Sequence, residues 1–162
     1  MGTFYNKKRV ADGQLAISTK SLKEFGYLSR RSGVIIWSRE GEEIGSIGIK
    51  VTVDQTTGTM LVNYNHTDWV TGESEPLLYE VRLVTTACHF GCIRWWFKCP
   101  LVVNGGPCWR RVGVLYLVGG YAGCRACYGL TYKSCQDSHK YDRIAKLIGL
   151  PSGTYLRRWI MG

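Results

Sequence analysis

From Gly33 onward apolar and polar side chains alternate with a period of two, the spacing that turns one side of a strand to a core and the other to water. Val34-Ile35-Ile36-Trp37 predicts a first strand, and Glu40-Gly41-Glu42 a turn. In the next run Ile47, Ile49, Val51 and Val53 point one way, while Ser46, Gly48, Lys50 and Thr52 point the other. Thr56-Thr57-Gly58 turns the chain again, and Met60, Val62 and Tyr64 then alternate with Leu61, Asn63 and Asn65. A polar loop over residues 65–76 leads to Leu77, Tyr79, Val81 and Leu83, interleaved with Glu80 and Arg82. Four strands joined by short turns describe an antiparallel meander with one buried face. Ahead of it, Ser18 caps a helix over residues 19–25 that Gly26 stops, with Leu22 and Phe25 on one face. Residues 1–14 are polar and predicted to be loose.

Past Thr86 the pattern changes. Arg94-Trp95-Trp96-Phe97-Lys98 reads as a strand, and residues 110–117 as another with Arg111 opposite Val112 and Val114. A short helical turn is expected over 128–132, and a helix over 139–148 capped by Ser138 and ended by Gly149 and Pro151. Ser152 caps a last helical piece. No run approaches the roughly 20 apolar residues that cross a bilayer, and the first residues lack the apolar core of a secretory signal. A cytoplasmic protein without a membrane partner is the expectation.

Charge sharpens the division. Residues 1–87 hold ten basic and ten acidic side chains, which cancel; residues 88–162 hold eleven basic ones against Asp137 and Asp142, so the entire net charge of +9 falls there. All seven cysteines fall there as well. The fold class expected is α+β: residues 1–87 form a small helix plus an antiparallel β-meander as scaffold, and residues 88–162 a basic, Cys- and Trp-rich module of zinc-ribbon or treble-clef type with one or two short helices.

An odd number of cysteines without an export signal argues against a disulfide framework. Cys124-Arg125-Ala126-Cys127 is a C-x2-C whose thiolates reach one ion, and Cys99 and Cys108 supply a second pair. Folding the intervening segment as a hairpin brings Cys108 beside Cys124, so that four sulfurs surround a single structural Zn²⁺ with no open position for water. Cys99 and Cys108 are separated by eight residues where a tight knuckle has about two to four, and a Gly-Gly turn at 105–106 lets that insert loop out. Cys88, Cys92, His89, Cys135 and His139 are the competing ligands; each taken singly reads better as a buried thiol, a satisfied histidine or a surface residue. Removing the ion is expected to unfold residues 94–135 and spare the N-terminal sheet.

Cys88-His89-Phe90-Gly91, Arg94-Trp95-Trp96-Phe97, Cys99-Pro100, Cys108 with Arg110-Arg111, Leu115-Tyr116-Leu117, Cys124-Arg125-Ala126-Cys127 and Leu130-Thr131-Tyr132 together resemble an uncharacterised family of small zinc-ribbon-like proteins from proteobacteria and their mobile elements. Residues 41–48 look like that family's first hairpin. The resemblance implies a compact C-P-x-C-G knuckle, from which this chain departs by an insertion over 101–107 and by Trp109 where glycine is usual. It also implies Gly and Gln at the positions of Cys92 and Cys135, which speaks against both as ligands. It supplies a fold and a metal, and no activity.

Trp95, Trp96, Trp109, Tyr116, Tyr121, Tyr128, Tyr132 and Trp159 are interleaved with arginines, a mixture that suits phosphate pairing and base stacking. Arg110, Arg111 and Arg125 are expected to neutralise the zinc thiolates, which leaves Lys133, Lys140, Arg143, Lys146, Arg157, Arg158 and Trp159 to contact nucleic acid or a host nucleoprotein complex. The alternative is a phage- or element-borne inhibitor of anti-CRISPR type that binds a host protein complex, since Trp and Arg also anchor protein interfaces. His66, His89 and His139 sit in no acid–base pattern, and the adjacent Cys88 and His89 point to opposite faces of a strand. A non-enzymatic protein is the expectation.

Overall fold

The computed structural model describes residues 8–29, 31–67, 71–89 and 91–137. These fall into two compact units, Gln14–Tyr128 and the described residues on either side of it.

In the larger unit a four-residue strand β1 (Leu15–Ser18) runs directly into helix α1 (Thr19–Glu24). Ser18 caps that helix, its hydroxyl accepting from the Ser21 N–H at 2.9 Å. Strands β2 (Ser32–Arg39), β3 (Glu42–Val53), β4 (Thr57–Thr67), β5 (Ser74–Ala87) and β6 (Ile93–Lys98) follow. Beyond them lie β7 (Val102–Val103), β8 (Gly106–Pro107), β9 (Arg111–Val112), β10 (Val114–Gly119) and β11 (Tyr121–Gly123). Three sheets result: six strands in the order β2-β3-β4-β5-β6-β9, three in the order β1-β10-β11, and the hairpin β7-β8, all antiparallel.

Period two decides which face is buried. The register sets Ile49 opposite Val62, Met60 opposite both Val51 and Val81, and Leu83 opposite Phe97. These side chains line the inner face and pack with Ile17, Leu22, Leu115 and Ala122 in one apolar cluster. The small β1-β10-β11 sheet and α1 therefore cover one side of the large sheet. Trp37 fastens the two layers, its indole N–H donating to the Ala16 carbonyl at 3.1 Å, and the Tyr79 hydroxyl accepts from the buried Ala122 N–H at 2.8 Å.

The meander and the capped helix match expectation, with four corrections. Residues 65–67 and 74–76 are strand, not loop: β4 runs to Thr67 and pairs with β5 from Ser74. The run 110–117 is two strands, because the chain breaks at Gly113 and passes from the six-stranded sheet to the three-stranded one. Leu15–Ser18, for which no element was expected, forms β1, a strand too short to show a period. A boundary at 87/88 falls inside one continuous hairpin, since β5 pairs with β6 through Ala87 and Ile93.

In the second unit Ala11–Gly13 forms a single 3₁₀ turn with Ala11 buried, and Val10 bridges Thr131 in parallel. Helix α2 (Lys133–Asp137) stands where no helix was expected, while residues 125–129 form a turn in place of the helical turn expected at 128–132. The Lys133 N–H donates to the Asp12 carboxylate at 2.7 Å. The helices expected at 139–148 and after Ser152 lie outside the described residues.

Tyr79→Phe deletes the acceptor of a buried N–H and is expected to cost about 1–3 kcal/mol, read as a lower urea midpoint at unchanged slope. Burial also pushes the Tyr79 hydroxyl above the ordinary phenol range and that of Tyr64 up to about 12. Both raised values favour the folded chain fully below pH of about 10, the unfolded phenol value, and that contribution is lost as pH climbs toward the folded ones. Stability is expected to decline on that alkaline side, less steeply in the Phe variant.

Candidate metal centre

The end of β6 delivers Cys99. Odd-numbered residues of that strand face inward, so Cys99 follows Trp95 and Phe97 beneath the sheet and is fully buried, its N–H donating to the Arg110 carbonyl at 3.0 Å. The insert then closes on itself as the β7-β8 hairpin. Its turn is Asn104-Gly105, not Gly-Gly: both residues have positive φ, 53° and 79°, as a two-residue primed turn requires. The Cys108 N–H donates to the Leu101 carbonyl at 2.8 Å, which returns Cys108 to the foot of the loop.

The second pair arrives from the β10-β11 hairpin, with Gly123 immediately before Cys124. A Cβ at Gly123 would overlap the Leu101 side chain and come within 2.7 Å of the Tyr128 ring. Glycine thus lets the insert's Leu101 press onto the backbone beside the cluster. Cys124 is buried; the chain turns, and the Cys127 N–H points back at Cys124 Sγ at 3.4 Å. The Cys124 N–H points at Cys99 Sγ at 3.3 Å. These backbone N–H···S bonds suit thiolate ligands.

All four sulfurs lie within 4.8 Å of one another. Cys99–Cys127 is 3.8 Å, Cys108–Cys124 3.9 Å and Cys124–Cys127 3.4 Å. Sulfurs about 2.3 Å from a common ion at tetrahedral angles stand about 3.8 Å apart. Disulfides need about 2.05 Å, and all four thiols are free. The expected ligand set is therefore brought together, and it could hold a metal. Burial pushes the Cys99 and Cys127 thiols up. At Cys124 burial acts in the same direction, but bonds from the Cys127 N–H and the neighbouring thiols outweigh it and hold the group below the usual thiol value.

The competing ligands lie elsewhere. Cys88 and Cys92 sit at the β5-β6 turn with the exposed His89, and Cys135 is exposed on α2. His139 lies outside the described residues. So do Lys140, Arg143, Lys146, Arg157, Arg158 and Trp159 of the expected contact surface; Lys133, at the start of α2, is exposed.

A second constellation went unread in the sequence. Counting by twos, Arg82 on β5, Arg94, Trp96 and Lys98 on β6, and Arg111 on β9 all occupy the outer face of the large sheet, opposite the buried Val81, Leu83 and Phe97. The Arg94 guanidinium lies 4.2 Å over the Trp96 ring, and that indole N–H donates to Thr86 Oγ1 at 2.8 Å. Arg82 lies 5.1 Å over Trp109, and Lys98 Nζ donates to the Trp109 carbonyl at 3.1 Å. Trp109 holds a left-handed φ of 49°, a conformation glycine takes freely, and 43% of its surface is exposed. Both Trp95 and Trp96 are half-buried, one on each face. The signal for this face was the register linking Arg82 to the later strands, which charge counted by chain halves conceals.

Compared with protein-family models, curated proteins and solved structures, the chain matches none. Among the described residues no helix is long and apolar enough to cross a membrane.

Cys124→Ser is expected to abolish near-stoichiometric metal in elemental analysis and to lower the melting temperature sharply, whereas Cys135→Ser leaves both unchanged. Because β6 and β9 belong to the same sheet as the meander, chelation is expected to destabilise Gln14–Tyr128 as one cooperative unit, seen as a single shifted transition in thermal circular dichroism.

Proposed function

We propose that this chain is a zinc-stabilised, non-enzymatic cytoplasmic protein that binds nucleic acid through the outer face of its large sheet. Four thiolates at tetrahedral spacing, two of them fully buried, suit one Zn²⁺ in a closed structural site. The two hairpins that present the cysteines in pairs are the supporting likeness to a zinc ribbon. A closed site leaves the ion no position for substrate, which favours a structural role.

The observation that carries the reading is the grouping of Arg82, Arg94, Lys98 and Arg111 with Trp96 and Trp109 on a sheet face. Among the described residues no carboxylate is ion-paired to these four cations. Guanidinium groups pair with phosphate, and indole faces stack on unpaired bases in a sequence-tolerant way. Any contribution from Lys133, Lys140, Arg143, Lys146, Arg157, Arg158 and Trp159 adds to that face.

One observation favours the alternative of a phage- or mobile-element-encoded inhibitor that occludes a host nucleoprotein complex. Away from those four cations the same face exposes aliphatic side chains among Lys50, Asn63 and Glu80: Val34, Ile36, Leu61 and Leu78 are 58%, 60%, 37% and 65% exposed. Exposed apolar groups beside Arg and Trp make a protein interface.

Fluorescence anisotropy with labelled single-stranded oligonucleotides separates the two. Nucleic-acid binding is expected to weaken steeply as salt rises. Arg94→Ala should lower affinity and flatten the salt slope by about one phosphate contact, and Trp109→Gly, which suits the local backbone, should cost on the order of 1–3 kcal/mol of stacking. Absence of salt-dependent binding, with nuclease-resistant capture of a host protein complex, would overturn the nucleic-acid reading in favour of the inhibitor.

A further inference from the structure

The metal centre uses four of the seven cysteines, and two of the others face each other across the end of the β5-β6 hairpin. The pairing of Thr86 with Arg94 and of Ala87 with Ile93 continues to Cys88 opposite Cys92, whose backbones are joined by the Cys88 N–H donating to the Cys92 carbonyl at 2.8 Å. The Gly91 N–H closes the turn onto the Cys88 carbonyl at 3.2 Å, and Gly91 takes the positive φ, 71°, that a three-residue hairpin loop needs. Directly opposed residues of an antiparallel pair project their side chains from the same face. In a hydrogen-bonded pair their Cα atoms lie about 5.5 Å apart, inside the window of about 4.4–6.8 Å that a disulfide spans. The Cys92 side chain, through a hydrogen bond, is the largest influence raising the Cys88 thiol, while Arg94 and Lys23 act on it in the opposite direction.

We propose that Cys88 and Cys92 form a dithiol that is reversibly oxidised to an internal disulfide by small cellular disulfides. Cys92 is exposed and Cys88 half-buried, so Cys92 meets the oxidant first. Its sulfur, having given its proton to solvent, attacks one sulfur of the small disulfide; that S–S bond breaks and one thiolate leaves. Cys88 then loses its proton and attacks Cys92 Sγ, expelling the second small thiolate. The protein gives up two electrons and two protons, and the small disulfide is reduced to two thiols. An excess of small thiol runs both steps backward. The cluster sulfurs lie outside this chemistry: Cys92 and Cys99 bracket β6 at opposite ends, about 23 Å apart along an extended strand, and on opposite faces.

The test uses the full-length metal-loaded chain in buffers of oxidised and reduced glutathione, quenched with iodoacetamide and digested with trypsin. Cleavage after Arg82 and Arg94 releases residues 83–94, which carry Cys88 and Cys92 and none of the other cysteines. The expected result is a peptide two hydrogens lighter than the dithiol, refractory to alkylation in the oxidising buffer and alkylated twice after return to reduced glutathione. In Cys88→Ser the second step is removed, and Cys92 should accumulate as a single glutathione adduct. Double alkylation of the wild-type peptide in the oxidising buffer, or a stable glutathione adduct on wild-type Cys92, would overturn the proposal.

Discussion

Four sulfurs have to converge on one point although they leave four different places in the fold. Cys99 comes from the end of β6 in the large sheet, Cys124 from the end of β11 in the small one, and Cys108 and Cys127 from the turns beyond. Each arrival depends on a backbone conformation that few residues tolerate: the paired positive φ of Asn104 and Gly105, the left-handed Trp109, and the bare backbone of Gly123 beneath Leu101. Four thiols crowded within 4.8 Å repel once ionised, and a bound cation would make the arrangement favourable. Binding at such a site contributes on the order of 10–16 kcal/mol, as large as the whole stability of about 5–15 kcal/mol of an ordinary domain. The ion would then be as much a part of the core as Phe97.

Such a tie would let so small a core suffice. Among the described residues the large sheet buries one face, under a three-stranded sheet and a helix of six residues. Where β6 and β11 end, the four sulfurs come together, and an ion held among them would cross-link the two layers. The opposite face is left without a covering layer among the described residues, and it carries cations, indoles and exposed aliphatic side chains. A sheet face of this kind offers side chains spaced at about 4.8 Å from strand to strand.

Sequence periodicity revealed what depends on local spacing. The alternation of Ile47, Ile49 and Val51, or of Met60 and Val62, announces a buried strand face, and Ser18 with Gly26 brackets a helix. The four-cysteine set was legible too, since a C-x2-C and a second pair constrain the ligands whatever the loop between them does. What escaped notice was long-range. Leu15–Ser18 is a strand because β10 lies ready to pair with it, and nothing within its four residues says so. Gly113 reads as an ordinary strand glycine, yet it is where the chain changes sheets. Arg82 belonged by position to an electrically balanced half, and only the pairing of β5 with β6 and of β6 with β9 sets it among Arg94, Lys98 and Arg111.

The same pairing sorts the cysteines. Cys92 and Cys99 are seven residues apart, one at each end of β6, so they differ in parity: the first shares the outer face with Arg94 and Trp96, the second the inner face with Trp95 and Phe97. A single-residue slip of β6 would exchange those environments, bringing a cluster sulfur into solvent and a hydrophilic arginine into the core. The register is guarded against that slip at both ends, by Cys88 bonded to Cys92 at the turn and by Cys99 bonded to Arg110 at the foot. Identical thiols thereby acquire different environments, a buried cluster on one side and an exposed hairpin turn on the other, and the cause is the twofold repeat of an extended backbone.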